Sequence, residues 1–289
     1  MMPSQRYPFN EEFVSVHGFQ IHYVRTGAGS PVLFVHGNPT YSYLWRDIMP
    51  VVAISHTAIA LDLLGFGKSE KLRGSRYSFS LHASIIQGFI EKLEIEPLSL
   101  VLHDWGGPLG MNYVVSHPEQ VHRLVLANTY LSPELGLPRP LRLVWQVLQL
   151  PWLSELLIQR LNLLAWAAFT FGLRVHRPER AALRQAYLEP FPTPESRSAI
   201  GEFFRMVPLT CKSASYSYFT RISATLPALE IPTLILKGEK DPVLSMKRAN
   251  RLRQLLPNSQ FQVIKGAGHF LQEDQPQEVA EVIRRFLDN

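Results

Sequence analysis

Short runs rich in β-branched residues recur through the first half of this 289-residue chain, at 32–36, 58–62, 98–102 and 121–128, and several are apolar almost throughout. A strand with no polar face is buried on both sides, the condition of a parallel sheet covered by helices above and below. Residues 43–49, 81–93 and 106–117 supply helical patterns between the runs. The alternation resumes with strands at 233–237 and 260–264 and helices at 246–256 and 276–287. Upstream, residues 12–16 and 20–25 flank the turn signal His17-Gly18, which predicts an antiparallel hairpin at one sheet edge. The expectation is an α/β domain with a mostly parallel eight-stranded sheet.

From about Leu131 the pattern changes. Pro133, Pro138, Pro140 and Pro151 punctuate Leu- and Trp-rich stretches, and helix-like sequence without strand signals continues to about Cys211. A helical cap over 131–213 is therefore expected to divide a core made of 1–130 and 214–289. The composition, 46% hydrophobic and 18% charged, is that of an ordinary globular chain. The net charge of +5 is scattered. Its densest cluster, Lys247, Arg248, Arg251 and Arg253, falls on an amphipathic helix and reads as a solvated face rather than a nucleic-acid or membrane patch. Cys211, the single cysteine, excludes an intramolecular disulfide and is expected as a buried thiol. Residues 1–6 show no targeting pattern and no run is long enough to span a bilayer, so a soluble cytoplasmic protein without nucleic-acid or membrane partners is expected.

The chemistry concentrates in loops that follow strands. His103-Asp104-Trp105-Gly106-Gly107 puts a carboxylate on a strand-to-helix turn, where small neighbours permit a tight bend and helix N–H groups favour an anion. The usual nucleophile-elbow pattern has Gly two positions earlier; here Leu102 stands there and Asp replaces Ser. Asp241 follows the strand ending at Lys237, and His269 lies in Gly266-Ala267-Gly268-His269-Phe270 after the last strand. Nucleophile, acid, histidine is the chain order of α/β-hydrolases, with each member beyond a strand's carboxyl end. A fourth loop, His36-Gly37-Asn38-Pro39, can offer backbone donors to an oxyanion.

Together, residues 36–46, His103-Asp104-Trp105-Gly106-Gly107 and Gly268-His269-Phe270 resemble the haloalkane dehalogenase family, over nearly the full chain. The resemblance implies an α/β-hydrolase fold and a small halogenated substrate. It implies that Asp104 displaces halide to form an alkyl ester, and that water activated by His269, oriented by Asp241, hydrolyses it. Asn38 and Trp105 would hold the halide and the ester oxyanion, and Pro208 would line the pocket. Some members take their acid from the end of the sixth strand, where this chain has Asn128. That assigns it to the subgroup pairing an Asn–Trp clamp with an acid after the seventh strand. No cofactor or metal is implied.

Plainer roles exist for each residue. Asp104 can cap a helix, His269 can pack in its loop, Asp241 can form a turn before Pro242, Asn38 can turn the chain before Pro39, and Trp105 can fill the core. Trp145, Trp152 and Trp166 read as core or pocket lining, and residues 62–69 as a structural loop. An epoxide hydrolase would share the three central residues and add tyrosine donors, for which Tyr187, Tyr216 and Tyr218 are candidates. A non-catalytic ligand-binding homologue and, more remotely, a luciferase-type monooxygenase stay open, as does a homo-oligomer formed through the cap.

Overall fold

The computed structural model describes residues 7, 9–72, 77–133, 139–175 and 177–289, without the side chains of 139–141 and 177–179. Residues 1–6 and Pro138, which entered the sequence reading, lie outside this set. Eight strands form one sheet: β1 (Glu11–Val16), β2 (Phe19–Thr26), β3 (Pro31–Val35), β4 (Thr57–Leu61), β5 (Leu98–His103), β6 (Val121–Ala127), β7 (Thr233–Gly238) and β8 (Gln260–Ile264). Their spatial order is β1-β2-β4-β3-β5-β6-β7-β8. β1 and β2 form the expected hairpin, turned by His17 and Gly18 at φ 50° and 84°, the left-handed pair that a two-residue hairpin requires. β2 runs antiparallel to β4, and every later pairing is parallel. β5 is buried along its whole length, as its apolar sequence demands.

The chain steps from β3 to β4 on one side, then returns to place β5 on the other side of β3. Where the order reverses, the loops after β3 and β5 diverge and leave a crevice at the carboxyl ends of the strands. Because Val35 pairs with Leu102, the loop carrying Asn38 faces the turn carrying Asp104.

The helices are α1 (Met49–Val52), α2 (Phe79–Leu93), α3 (Gly106–Val114), α4 (Arg139–Leu148), α5 (Pro151–Ser154), α6 (Leu163–Phe171), α7 (Arg177–Leu188), α8 (Ser198–Arg205), α9 (Tyr216–Thr225), α10 (Met246–Leu255), α11 (Leu271–Asp274) and α12 (Pro276–Asp288). A π-helical turn, Glu155–Arg160, links α5 to α6. Between β6 and β7 the described residues are helical or irregular, with no strand. The helix expected over 43–49 is instead a 3₁₀ turn, Ser42–Trp45, followed by α1. Pro50 explains the break, since proline is tolerated in the first turn of a helix but not in its interior. Cys211 is exposed in the turn between α8 and α9, not buried. Asp62 is fully buried in the loop expected to be structural, accepting from His22, Ser42 N–H and Lys68 N–H at 2.7–2.8 Å.

One buried ion pair ties the helices between β6 and β7 to the core. Arg46 donates two hydrogen bonds to Glu273, at 2.6 and 2.7 Å, and Tyr187 on α7 donates to the same carboxylate. Breaking such a pair strands a charge away from water. Glu273→Gln should lower the unfolding free energy by about 3 kcal/mol, the low end of the range because Asp47 remains 3.2 Å from Arg46. Urea titration would show this as a lower midpoint with an unchanged slope.

Candidate active site

Asp104 occupies the bend between β5 and α3 at φ 48°, a left-handed conformation that a short polar side chain tolerates better than a branched one. A Cβ on Gly37 would lie 2.4 Å from the Asp104 carboxylate, so only glycine lets the β3 loop approach. The large residue at 102 is accommodated by a compensating glycine: a Cβ on Gly110 of α3 would lie 2.5 Å from the Leu102 side chain. The Thr129 hydroxyl donates to the Asp104 carbonyl at 2.6 Å, pinning the bend to the end of β6.

The Asp104 carboxylate is buried but well supplied with donors. Asn38 N–H reaches Oδ2 at 3.0 Å, and the N–H of Trp105 also bonds it. His269 Nε2 stands 3.6 Å from Oδ1. Burial alone would raise the carboxyl pKa, but the nearby His269 ring with its charge and the Trp105 N–H outweigh it, so the group is held below the usual carboxylate range.

His269 Nδ1 lies 3.0 Å from Asp241 Oδ2. Asp241 is fixed by its own turn, with Oδ1 accepting from the N–H groups of Val243 at 2.7 Å and Leu244 at 3.1 Å. Oδ2 also faces the buried Lys237 ammonium at 3.6 Å. Burial opposes ionisation, yet His269, Lys237 and the turn N–H groups prevail and depress the Asp241 pKa to about 2. Burial likewise opposes a charged His269, but the two carboxylates raise its pKa to about 10. A proton on Nδ1, held by Asp241, leaves Nε2 as the nitrogen turned toward Asp104.

Several residues that hold this histidine escaped the sequence reading. Asn128, in the position where an acid was considered, donates from Nδ2 to the carbonyls of Gly268 and His269 at 2.9 and 2.8 Å and accepts from Gly238 N–H at 2.9 Å. It ties β6, β7 and the histidine loop together. His103 Nε2 donates to the His269 carbonyl at 3.1 Å, and burial keeps this ring neutral, with a pKa lowered to about 4. His269 N–H donates to the carbonyl of Gly172, just beyond α6. Such partners lie far from His269 in sequence, and Asn128 and Gly172 carry no motif.

A cavity of about 460 Å³ opens above these groups. Asn38, Asp104, Trp105, Tyr130, Arg248 and His269 bring polar groups to it, and Trp145, Leu164, Phe171 and Phe204 contribute apolar wall. Trp105 is held edge-on by Tyr130, Phe203 and Phe219. Asn38 Nδ2 donates to the Ile200 carbonyl at 3.3 Å, and an amide carries a second N–H for a ligand. Val207 lines the cavity, whereas its neighbour Pro208 is buried but is not among the lining residues. Tyr187, Tyr216 and Tyr218 are not in the lining either; Tyr130 is, and its buried hydroxyl has no hydrogen-bond partner among the described residues. Arg248, grouped from sequence with a solvated basic face, is half-buried and lines the cavity. Trp145 lines it as expected, but Trp152 and Trp166 are 66% and 45% exposed, neither core nor pocket.

Residues 30–276 match the family described by the alpha/beta hydrolase fold. A haloalkane dehalogenase of Sphingobium indicum is 33% identical, covering 97% of this chain and 96% of its own. The cis-3-alkyl-4-alkyloxetan-2-one decarboxylase of Shewanella oneidensis is 32% identical, covering 97% and 89%. The crystal structure of a haloalkane dehalogenase from Agrobacterium tumefaciens superposes with a TM-score of 0.86 at 27% identity, over 96% of each chain. An apolar cavity above an Asp, His and Asp in the order and loops of this fold accords with those likenesses, and the chain belongs to the haloalkane dehalogenase family of α/β-hydrolases.

Proposed function

We propose that this protein hydrolyses haloalkanes through an alkyl ester on Asp104, beneath a helical cap formed by residues 131–213. The observation that carries the reading is the two-sided setting of Asp104: His269 Nε2 at 3.6 Å on one side, and the apolar cavity with Asn38 and Trp105 on the other. The ionised carboxylate attacks the halogen-bearing carbon in line, forming a C–O bond as the C–halogen bond breaks. The indole N–H of Trp105 and the side-chain amide of Asn38 receive the halide.

The ester is neutral, so alkylation removes one of the two charges that hold a proton on His269. Its pKa falls from about 10, and the ring becomes able to take a proton from water. The water oxygen adds to the ester carbonyl while the N–H groups of Asn38 and Trp105 hold the oxyanion. Collapse breaks the bond between the acyl carbon and the alkyl oxygen, the departing alkoxide takes the proton from His269 and leaves as alcohol, and the Asp104 carboxylic acid so formed gives its proton to solvent and returns to carboxylate. Haloalkane and water thus give alcohol, halide and a proton.

The two steps differ in their dependence on pH. Alkylation needs only an ionised Asp104 and should stay level from mildly acid to mildly alkaline solution. Ester hydrolysis needs neutral His269 and should rise with pH. Single-turnover quench experiments with bromobutane, following halide and alcohol separately, measure both limbs. A halide burst that rises with pH in parallel with alcohol would contradict the scheme.

A second reading is favoured by Arg248 and by a cavity larger than a short bromoalkane needs. In an oxetan-2-one, the same in-line attack on the ring carbon bearing oxygen displaces a carboxylate instead of a halide. That carboxylate can then leave as carbon dioxide, its electrons forming the alkene and expelling Asp104, with no water consumed. Release of bromide from bromoalkanes supports the first reading. Release of carbon dioxide from dialkyl oxetan-2-ones without bromide release supports the second. An epoxide substrate would need a tyrosine donor at its ring oxygen, and of the tyrosines named from sequence none lines the cavity.

A further inference from the structure

A helix that is apolar on every side belongs in a core or against a partner. Of the fourteen large hydrophobic side chains exposed among the described residues, ten fall within 143–171. On α4, Leu143 and Val147 are 61% and 52% exposed while Trp145 turns inward to the cavity. On α6, Trp166 points outward while Ala165 and Phe169 are buried. Trp152 and Leu161, 66% and 56% exposed, continue the surface between them. Phe171 and Val243, at least half exposed, also line the cavity, so its opening lies at the edge of this face.

The charge of the segment points to the occupant. The face itself, residues 139–171, holds Arg139, Arg142 and Arg160 against Glu155, which pairs with Arg160, and Arg174, Arg177, Arg180 and Arg184 follow in the next segment against Glu179. A second copy would bring the same excess of arginine against itself. An anionic lipid surface is complementary, and tryptophan and leucine in a stretch whose charges are mostly arginine is the composition of interfacial segments that lie in a bilayer surface. No helix among the described residues is long and apolar enough to cross a membrane.

We propose that the outer face of α4, α5, the π-helical turn and α6 docks on an anionic phospholipid bilayer, so that apolar substrate reaches the cavity from the lipid. This departs from the sequence expectation of no membrane partner, and the docking does not depend on which leaving group Asp104 displaces.

Sedimentation of the full chain with vesicles tests it. Binding is expected to vesicles of mixed phosphatidylglycerol and phosphatidylcholine, weakening as salt screens the arginines, with little binding to phosphatidylcholine alone. The double variant Trp152→Ser, Leu161→Ser should bind at least about tenfold more weakly while keeping its circular dichroism and thermal midpoint. No binding, equal binding to both vesicles, or full binding by the double variant would overturn the proposal. So would a dimer in solution, dissociated by these substitutions, with no vesicle binding.

Discussion

Asp104→Asn is expected to lower turnover by about 10⁴- to 10⁶-fold, the range for losing a nucleophile from a group that acts as a unit. An amide nitrogen or oxygen is too weak a nucleophile to displace halide, and no other group at the cavity is both ionised and aimed as Asp104 is. Asparagine is the informative replacement because residue 104 sits at φ 48°. Asn keeps the shape and tolerates the left-handed conformation, whereas Ala adds backbone strain to the loss of chemistry. The same change removes one carboxylate from His269, so the ring's pKa should fall from about 10. Proton NMR of the imidazole against pH reads that shift independently of activity. A ring that titrates as before would mean that Asp104 and His269 are not coupled as their 3.6 Å separation implies.

Asp241→Asn should lower kcat by about 10⁴-fold, the loss expected when the group that fixes an imidazole tautomer is neutralised. The amide can donate to Nδ1, which drives the proton to Nε2, where it blocks uptake of a proton from water. Alkylation needs no base, so this variant should release about one halide per enzyme and then stop. The substitution also leaves Lys237 buried, with its former partner 3.6 Å away now neutral. Stability should fall with activity, and Asp241→Asn combined with Lys237→Met should recover the stability without the turnover. Urea midpoints measured beside halide bursts separate the two effects. Recovery of turnover in the double variant would mean that Asp241 serves the fold and not the histidine.

The fold was legible because apolar runs and turn signals are local. All eight strands fall within a residue or two of their expected places, and the hairpin turns at His17-Gly18. The three residues placed together from their chain order, Asp104, Asp241 and His269, do meet in space. What stayed hidden depends on contacts between distant segments. An asparagine at 128 cannot serve as the acid, yet its amide binds two carbonyls 140 and 141 residues away. Arg248 belongs to a basic helix in sequence and to the cavity in space, because one face of α10 turns inward. Trp152 and Trp166 look like core by composition, and only the packing of the segment shows which face is left outside.

A covalent ester on Asp104 can be read from the mass of His269→Phe protein after exposure to a bromoalkane. Without the base, alkylation proceeds and hydrolysis does not. Intact protein should gain one alkyl group, and peptide mapping should place it on Asp104, while Asp104→Asn protein treated alike stays unmodified. An unmodified His269→Phe protein that still releases bromide, or an alkyl group on any other residue, would rule out the ester on Asp104.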